Sequence, residues 1–394
     1  MPMIKKIVLD KADRLYHFPF DLEEFFPKRT RKSTDKKYPT IDLGRFQWPI
    51  STPLIGESAD LSEQANSDDI LRLKEELSKW LKDRFGLKIT ARKEIHIGQG
   101  IRRILFDICQ AFVDYGDPVL TPEPGLPFYK RQIIAAGGIP VSYQVSEKTD
   151  YKPSIKQISS NLGKTARIMF LNNPHNPTGR LLDSTDLTEL VRTASREHIF
   201  IVNDAAYCSF AEEKYNSLLA VPGGTKVGME LFSFTYCFGL PYIPLGFAVG
   251  PPDVINSLNT MSRSLGKFIP KGWINPILKA IQHYPSVDLE SLKKRIEQSR
   301  LEAEQLVEKY SWQMVRHKSS PFAWIKIPGR RQSTNLADTL LIRKGILALP
   351  GNAFGDTGEG YFRLSLTAPP ENFKAAGDRL EKRLNIIPKK QRAK

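Results

Sequence analysis

The chain has 394 residues, 41% hydrophobic and 26% charged, the balance of a globular protein too long for one ordinary core. No apolar run reaches the roughly 18–20 residues that span a bilayer, and the opening Met-Pro-Met-Ile-Lys-Lys leads into charged sequence, so neither a membrane partner nor a signal peptide is expected. The net charge of +15 gathers partly in residues 28–37 and 389–394, runs with no interleaved aromatics or binding module, so no nucleic-acid partner is expected either.

Up to Gly56 the sequence is irregular and rich in aromatic residues and proline. A helix is predicted from Ser67, which can cap it, with Ile70, Leu73, Leu77, Trp80 and Leu81 on one side and Gly86 as its stop. An alternation follows. "EIHI" reads as a short strand, then a glycine turn and a helix over Ile101–Phe112. "DPVLTP" is a strand and "FYKRQIIAAGG" a helix closed by glycines. "ARIMFL" and "IFIVND" are apolar strands separated by a helix over 182–197, and "LFSFT" and "GFAVG" continue the series. Buried strands alternating with helices imply a mostly parallel sheet covered on both faces.

Beyond Pro252 the pattern turns to helices, notably Leu289–Lys309, then the strands "FAWIKI" and "YFRLSL" and a last amphipathic helix. The predicted organisation is a large α/β domain over residues 61–265 and a smaller α+β domain from residues 1–60 and 266–394. Cys109, Cys208 and Cys237 form no CxxC pair, so neither a disulfide framework nor a metal site is expected, and the chain reads as reduced and cytoplasmic.

Polar clusters fall where such a sheet binds ligands. "NNPHNPTG" follows one strand and Asp204 ends the next, and open α/β sheets bind beyond the carboxyl ends of their strands. "GQGIRR" is not a dinucleotide fingerprint, because Arg103 holds the third glycine position; its plain content is a turn into a helix start that can hold an anion.

Taken together, "NPHNPTG", "NDAAY", "SFTYCFGLP" and "LPGNAFGDTGEGYFRLSL" resemble the class I/II aminotransferases, pyridoxal-phosphate enzymes of fold-type I, over nearly the whole chain. The resemblance implies roles residue by residue. Asp204 matches the carboxylate that keeps the pyridine nitrogen protonated, and Asn176 and Tyr207 match the donors to the ring's phenolic oxygen. Ser233 and the amides of Ile101 and Arg102 match the phosphate cradle. Arg363 matches the fork that clamps a substrate α-carboxylate, and Gly44 falls near the family's N-terminal substrate contact. Each has a structural alternative: Asn176 closing a turn, Asp204 pairing with a base, Tyr207 as core, Arg363 in an ordinary ion pair.

The departures are concentrated. The family's lysine, which forms an imine with the cofactor aldehyde three residues after the serine, is here Tyr236; its spacing of 32 residues from Asp204 fits the family register, and Lys267 comes too late to replace it. A phenol cannot form an imine and lacks the amine that shuttles the proton at Cα. The phosphate-gripping arginine is Pro244, and the ring-stacking aromatic falls at Leu126. Arg102 or Arg103 is a candidate replacement for the lost arginine. The expected cofactor is therefore pyridoxal or pyridoxamine 5'-phosphate held non-covalently, with a small amino or keto acid as ligand and a homodimer as the assembly. Two alternatives stand beside it: a catalytically inactive relative acting by partner or ligand binding, and an active transaminase using a different lysine.

Overall fold

In the computed structural model, residues 12–19, 21, 25, 38–48, 61–159, 165–266, 268–329 and 332–381 are described. Both basic runs and Lys267 lie outside them. The strands in chain order are β1 (Ile41–Asp42), β2 (Ile95–Gly98), β3 (Pro118–Glu123), β4 (Ile139–Gln144), β5 (Ile168–Asn172), β6 (Phe200–Asp204), β7 (Gly228–Ser233) and β8 (Gly246–Val249). Nearer the C-terminus come β9 (Gln313–Met314), β10 (Phe322–Lys326), β11 (Ile346–Leu347), β12 (Leu349–Pro350) and β13 (Tyr361–Ser365).

Strands β2 to β8 form a seven-stranded sheet in the order β2-β8-β7-β6-β5-β3-β4. Its centre is parallel, and β8 alone runs against both its neighbours. Strands β5 and β7 are buried at every position, which is why β5 reads as an apolar run and β7 is apolar apart from the buried Glu230 and its terminal serine: helices cover both faces. The helices include Ile101–Phe112, Pro127–Ala135, Ser184–Arg196 and Pro252–Ser264. A second, antiparallel sheet has the order β12-β13-β10-β9, and β1 pairs in parallel with β11. One apolar cluster joins Phe170 and Val202 of the large sheet to Phe322 and Leu364 of the small one, so the space between the sheets is core.

The helix over Ser67–Phe85 ends at Gly86 as predicted, with φ of 72°, but its cap is corrected by one residue. Asn66 accepts from the amides of Asp68 and Asp69 while the Asp69 side chain returns to the Asn66 amide, so Ser67 is the first helical residue rather than the cap. Strand β4 went unread because it is a half-exposed edge strand without a continuous apolar run. Among the described residues, no helix is long and apolar enough to cross a membrane, and no group of three or more His, Cys, Asp or Glu is placed to hold a metal.

Candidate functional site

Three neighbouring strands end at one place. Register sets Asn172 of β5 beside Asp204 of β6 and Asp204 beside Leu231 of β7, whose end, Ser233, lies two residues beyond. The turn after β5 is held by its own polar groups. Asn172 donates to the Asp204 carbonyl at 2.9 Å and accepts from the Asn176 amide at 2.8 Å. His175 Nδ1 lies 2.7 Å from Thr178 Oγ1, and Asn173 accepts from the Leu182 amide at 2.9 Å. On the other side of β6, Asn203 and Tyr215 donate to the buried Glu230, which anchors the strand's register. "NNPHNPTG" thus places Asn176 over the end of β6.

Asn176 links the parts. Its Nδ2 donates to the Tyr207 hydroxyl at 3.1 Å, and its Oδ1 accepts from Arg363 Nη1 at 3.1 Å. Arg363 Nη2 donates to the Gly44 carbonyl at 3.1 Å, so four residues separated by up to 319 positions meet in one network. The guanidinium lies 3.8 Å from the Phe322 ring centroid and 5.2 Å from that of Phe354. Its Nε is buried without a hydrogen-bond partner among the described residues. A desolvated guanidinium with an unsatisfied donor is suited to receive a carboxylate.

Tyr236 belongs to this cluster. Its ring centroid is 5.2 Å from that of Tyr207 and 5.0 Å from that of Phe46. Ser233 accepts from the Tyr236 amide at 3.4 Å, capping the short helix Phe234–Phe238 on which the phenol is mounted. The helix start at Ile101 lies against the same region. Gly100 there has φ of 82°, which favours glycine, and an ideal Cβ on it would stand 3.5 Å from the Pro244 carbonyl. A Cβ on Gly246 would come within 3.2 Å of the Ile101 amide, so glycine is what lets β8 approach the helix start. Pro244 therefore borders the helix N-terminus but brings no side-chain donor to it.

The two candidate replacement arginines separate. Arg103 donates through Nε to Asp107 on its own helix at 2.8 Å. The Arg102 guanidinium lies 5.3 Å from the Phe128 ring centroid and acts electrostatically on the Tyr236 phenol. Leu126 is buried, one helical turn before Tyr129, and the Tyr129 hydroxyl donates to Asp204 Oδ2 at 2.8 Å. Tyr129, Asn172, Phe46 and Phe322 were missed by sequence reasoning. The signals were the i+3 step in "LPFY", the first asparagine of the turn, an aromatic in the irregular 38–48 stretch and the aromatic that opens the strand "FAWIKI".

Electrostatics favour neutral groups. Burial pushes the Asp204 carboxyl up to about 6, opposed by the Tyr129 hydroxyl and the Ala206 amide. Burial lowers Arg363 to about 10, with Tyr207 and Tyr236 acting the other way. Burial also raises the Tyr236 and Tyr207 phenols; Arg102 and Arg363 pull Tyr236 back, and Arg363 and the Asn176 amide do so for Tyr207. Both phenols therefore keep their protons at neutral pH and can donate hydrogen bonds.

A family model described as aminotransferase class I and II matches residues 48–380. The LL-diaminopimelate aminotransferase of Halothermothrix orenii is 30% identical over 391 residues, covering 95% of this chain and 98% of that protein. The protein of the same name from Aquifex aeolicus is 26% identical over 382 residues, 94% of this chain and 98% of its own length. Among solved structures, substrate-bound BacF from Bacillus subtilis superposes with a TM-score of 0.87 at 24% identity, covering 95% of this chain and 98% of that one. A probable N-succinyldiaminopimelate aminotransferase from Thermus thermophilus gives 0.85 at 22% identity, covering 92% and 100%.

Proposed function

The chain belongs to the class I and II aminotransferases, and on that premise we propose that it holds pyridoxal or pyridoxamine 5'-phosphate non-covalently together with an amino or keto acid. The observation that carries this reading is the convergence of the buried Asp204, Asn176, Tyr207 and Arg363 with the half-buried Tyr236 around the ends of β5 to β7.

The residues fit the ring side of the cofactor. The Asp204 carboxylate would pair with a protonated pyridine nitrogen, which returns to it the charge compensation that burial removes. Asn176 and Tyr207 would donate to the phenolic oxygen, and Ser233 with the Ile101 and Arg102 amides would face the phosphate. When bound, the pyridine ring supplies an electron sink for a carbanion at the substrate Cα. Arg363, desolvated and backed by Phe322, would fix the substrate carboxylate, with Gly44 beside it. Tyr236 holds its proton and would donate it in a hydrogen bond at the point where the family has an amine. Having no amine, it offers no covalent anchor. The relatives' names make diaminopimelate and its keto acid the first ligands to try. A homodimer and the division into domains over residues 61–265 and over 1–60 with 266–394 belong to the same proposal.

The alternative, a catalytically inactive relative acting by partner or ligand binding, is favoured by one feature. Apart from Arg363 Nε, the polar groups largely engage one another, with Arg363 donating to Asn176 and Gly44 and Tyr129 to Asp204. Calorimetry with each cofactor form, followed by borohydride reduction and peptide mapping, separates the readings. The expected outcome is binding of pyridoxamine phosphate with no lysine modified by pyridoxal phosphate and borohydride. Binding of neither form would support the inactive alternative, and a modified lysine would point to a different amine as the anchor. The double substitution Tyr236→Lys with Pro244→Arg is expected to create a borohydride-trapped lysine and to tighten phosphate binding at least tenfold, the worth of a charged hydrogen bond of about 1.5–3 kcal/mol.

A further inference from the structure

The three cysteines are not alike. Cys109 lies in one core cluster, on the helix Ile101–Phe112. Cys208 and Cys237 lie in another, with their sulfurs 3.5 Å apart. Each directly follows a tyrosine of the candidate site, Tyr207 and Tyr236. The two segments are already tied by Ser209, whose hydroxyl donates to the Cys237 carbonyl at 3.0 Å and lies 2.8 Å from the Tyr284 hydroxyl. The Cys237 thiol also contacts the Ala206 carbonyl at 3.7 Å. Burial and the Cys208 sulfur push the Cys237 thiol well up, so Cys237 keeps its proton in contact with the Cys208 sulfur.

We propose that Cys208 and Cys237 are a reversible disulfide site, a dithiol whose oxidation staples the Tyr207 segment to the Tyr236 segment of the candidate site. The sulfurs are already at contact distance, and a bond of about 2.05 Å needs them to close by roughly 1.5 Å. With a peroxide as oxidant the step balances. One thiol is oxidised to a sulfenic acid as the peroxide O–O bond breaks and one water leaves. The second sulfur then attacks the first, the S–O bond breaks, and a second water leaves. Two sulfur electrons and two thiol protons are consumed. A dithiol reductant reverses it. Nothing in this requires the cofactor reading, so either can fail alone.

The test is a thiol count on the intact wild-type chain. The protein is treated with hydrogen peroxide under native conditions, quenched with catalase, denatured and alkylated. Of its three cysteines, only one is expected to be alkylated after oxidation, and all three after dithiothreitol. Peptide mapping should find Cys208 joined to Cys237. Cys109→Ser is expected to leave no alkylatable thiol after oxidation, and Cys208→Ser to form no intramolecular disulfide. Three alkylations in the oxidised wild type, or a bridge that includes Cys109, would overturn the proposal.

Discussion

Asp204 is the residue whose cost and use are most clearly separable. It is buried, it accepts from Tyr129 and the Ala206 amide, and its carboxyl is raised from 3.8 to about 6. A carboxyl raised by folding favours the protonated fold. Its contribution is therefore intact below the unfolded value and is lost as pH rises through about 6. By linkage the ionised group costs on the order of 3 kcal/mol at neutral pH. Asp204→Asn is expected to be more stable than wild type in urea melts at pH 8, by up to about that amount, and to show no advantage near pH 3.5. It should also bind pyridoxamine phosphate at least tenfold more weakly in calorimetry, because an amide cannot pair its charge with a pyridinium. A variant less stable at both pH values would instead make the carboxylate a structural anchor for Tyr129.

At the level of the element, caps and strand ends decide where side chains fall. The Asn66 capping box predicts that Asn66→Ala destabilises the chain by about 1 kcal/mol, whereas Ser67→Ala changes it by a few tenths. Chemical denaturation of the two variants checks this, and the reverse order would restore Ser67 as the cap. The slip illustrates what was legible. Apolar runs mark β5, β6 and the end of β7 after Glu230, and the turn "NNPHNPTG" with Asp204 marks the site at their ends, because burial on both faces leaves a mark in composition. Two-residue strands such as β1 and β11 leave none, since their pairing depends on a partner some 300 positions away. The same holds for Tyr129: nothing local says that its hydroxyl reaches Asp204, and only helix packing against the sheet brings it there.

Over the whole molecule, the candidate site is where distant parts of the chain are tied together. The Leu43 carbonyl accepts from the Ser365 amide at 2.7 Å, the Gln47 amide donates to Thr367 Oγ1 at 2.7 Å, and Arg363 reaches Gly44 between them. Asn176, which belongs to the large sheet's turn, is the other partner of that guanidinium. A carboxylate received by Arg363 would therefore tighten contacts of the small sheet and the 41–47 segment, while a pyridine ring at Asp204 would tighten the turns after β5 and β6. Hydrogen exchange distinguishes the two contributions, because protection reports local opening. Pyridoxamine phosphate alone is expected to slow exchange at the Asn176 and Ala206 amides. Adding a keto acid should extend the slowing to Leu43, Gln47 and Ser365. If the keto acid left those three amides unchanged, Arg363 would be holding Gly44 and Asn176 for the fold alone, and the carboxylate subsite would have to be sought elsewhere in the cluster.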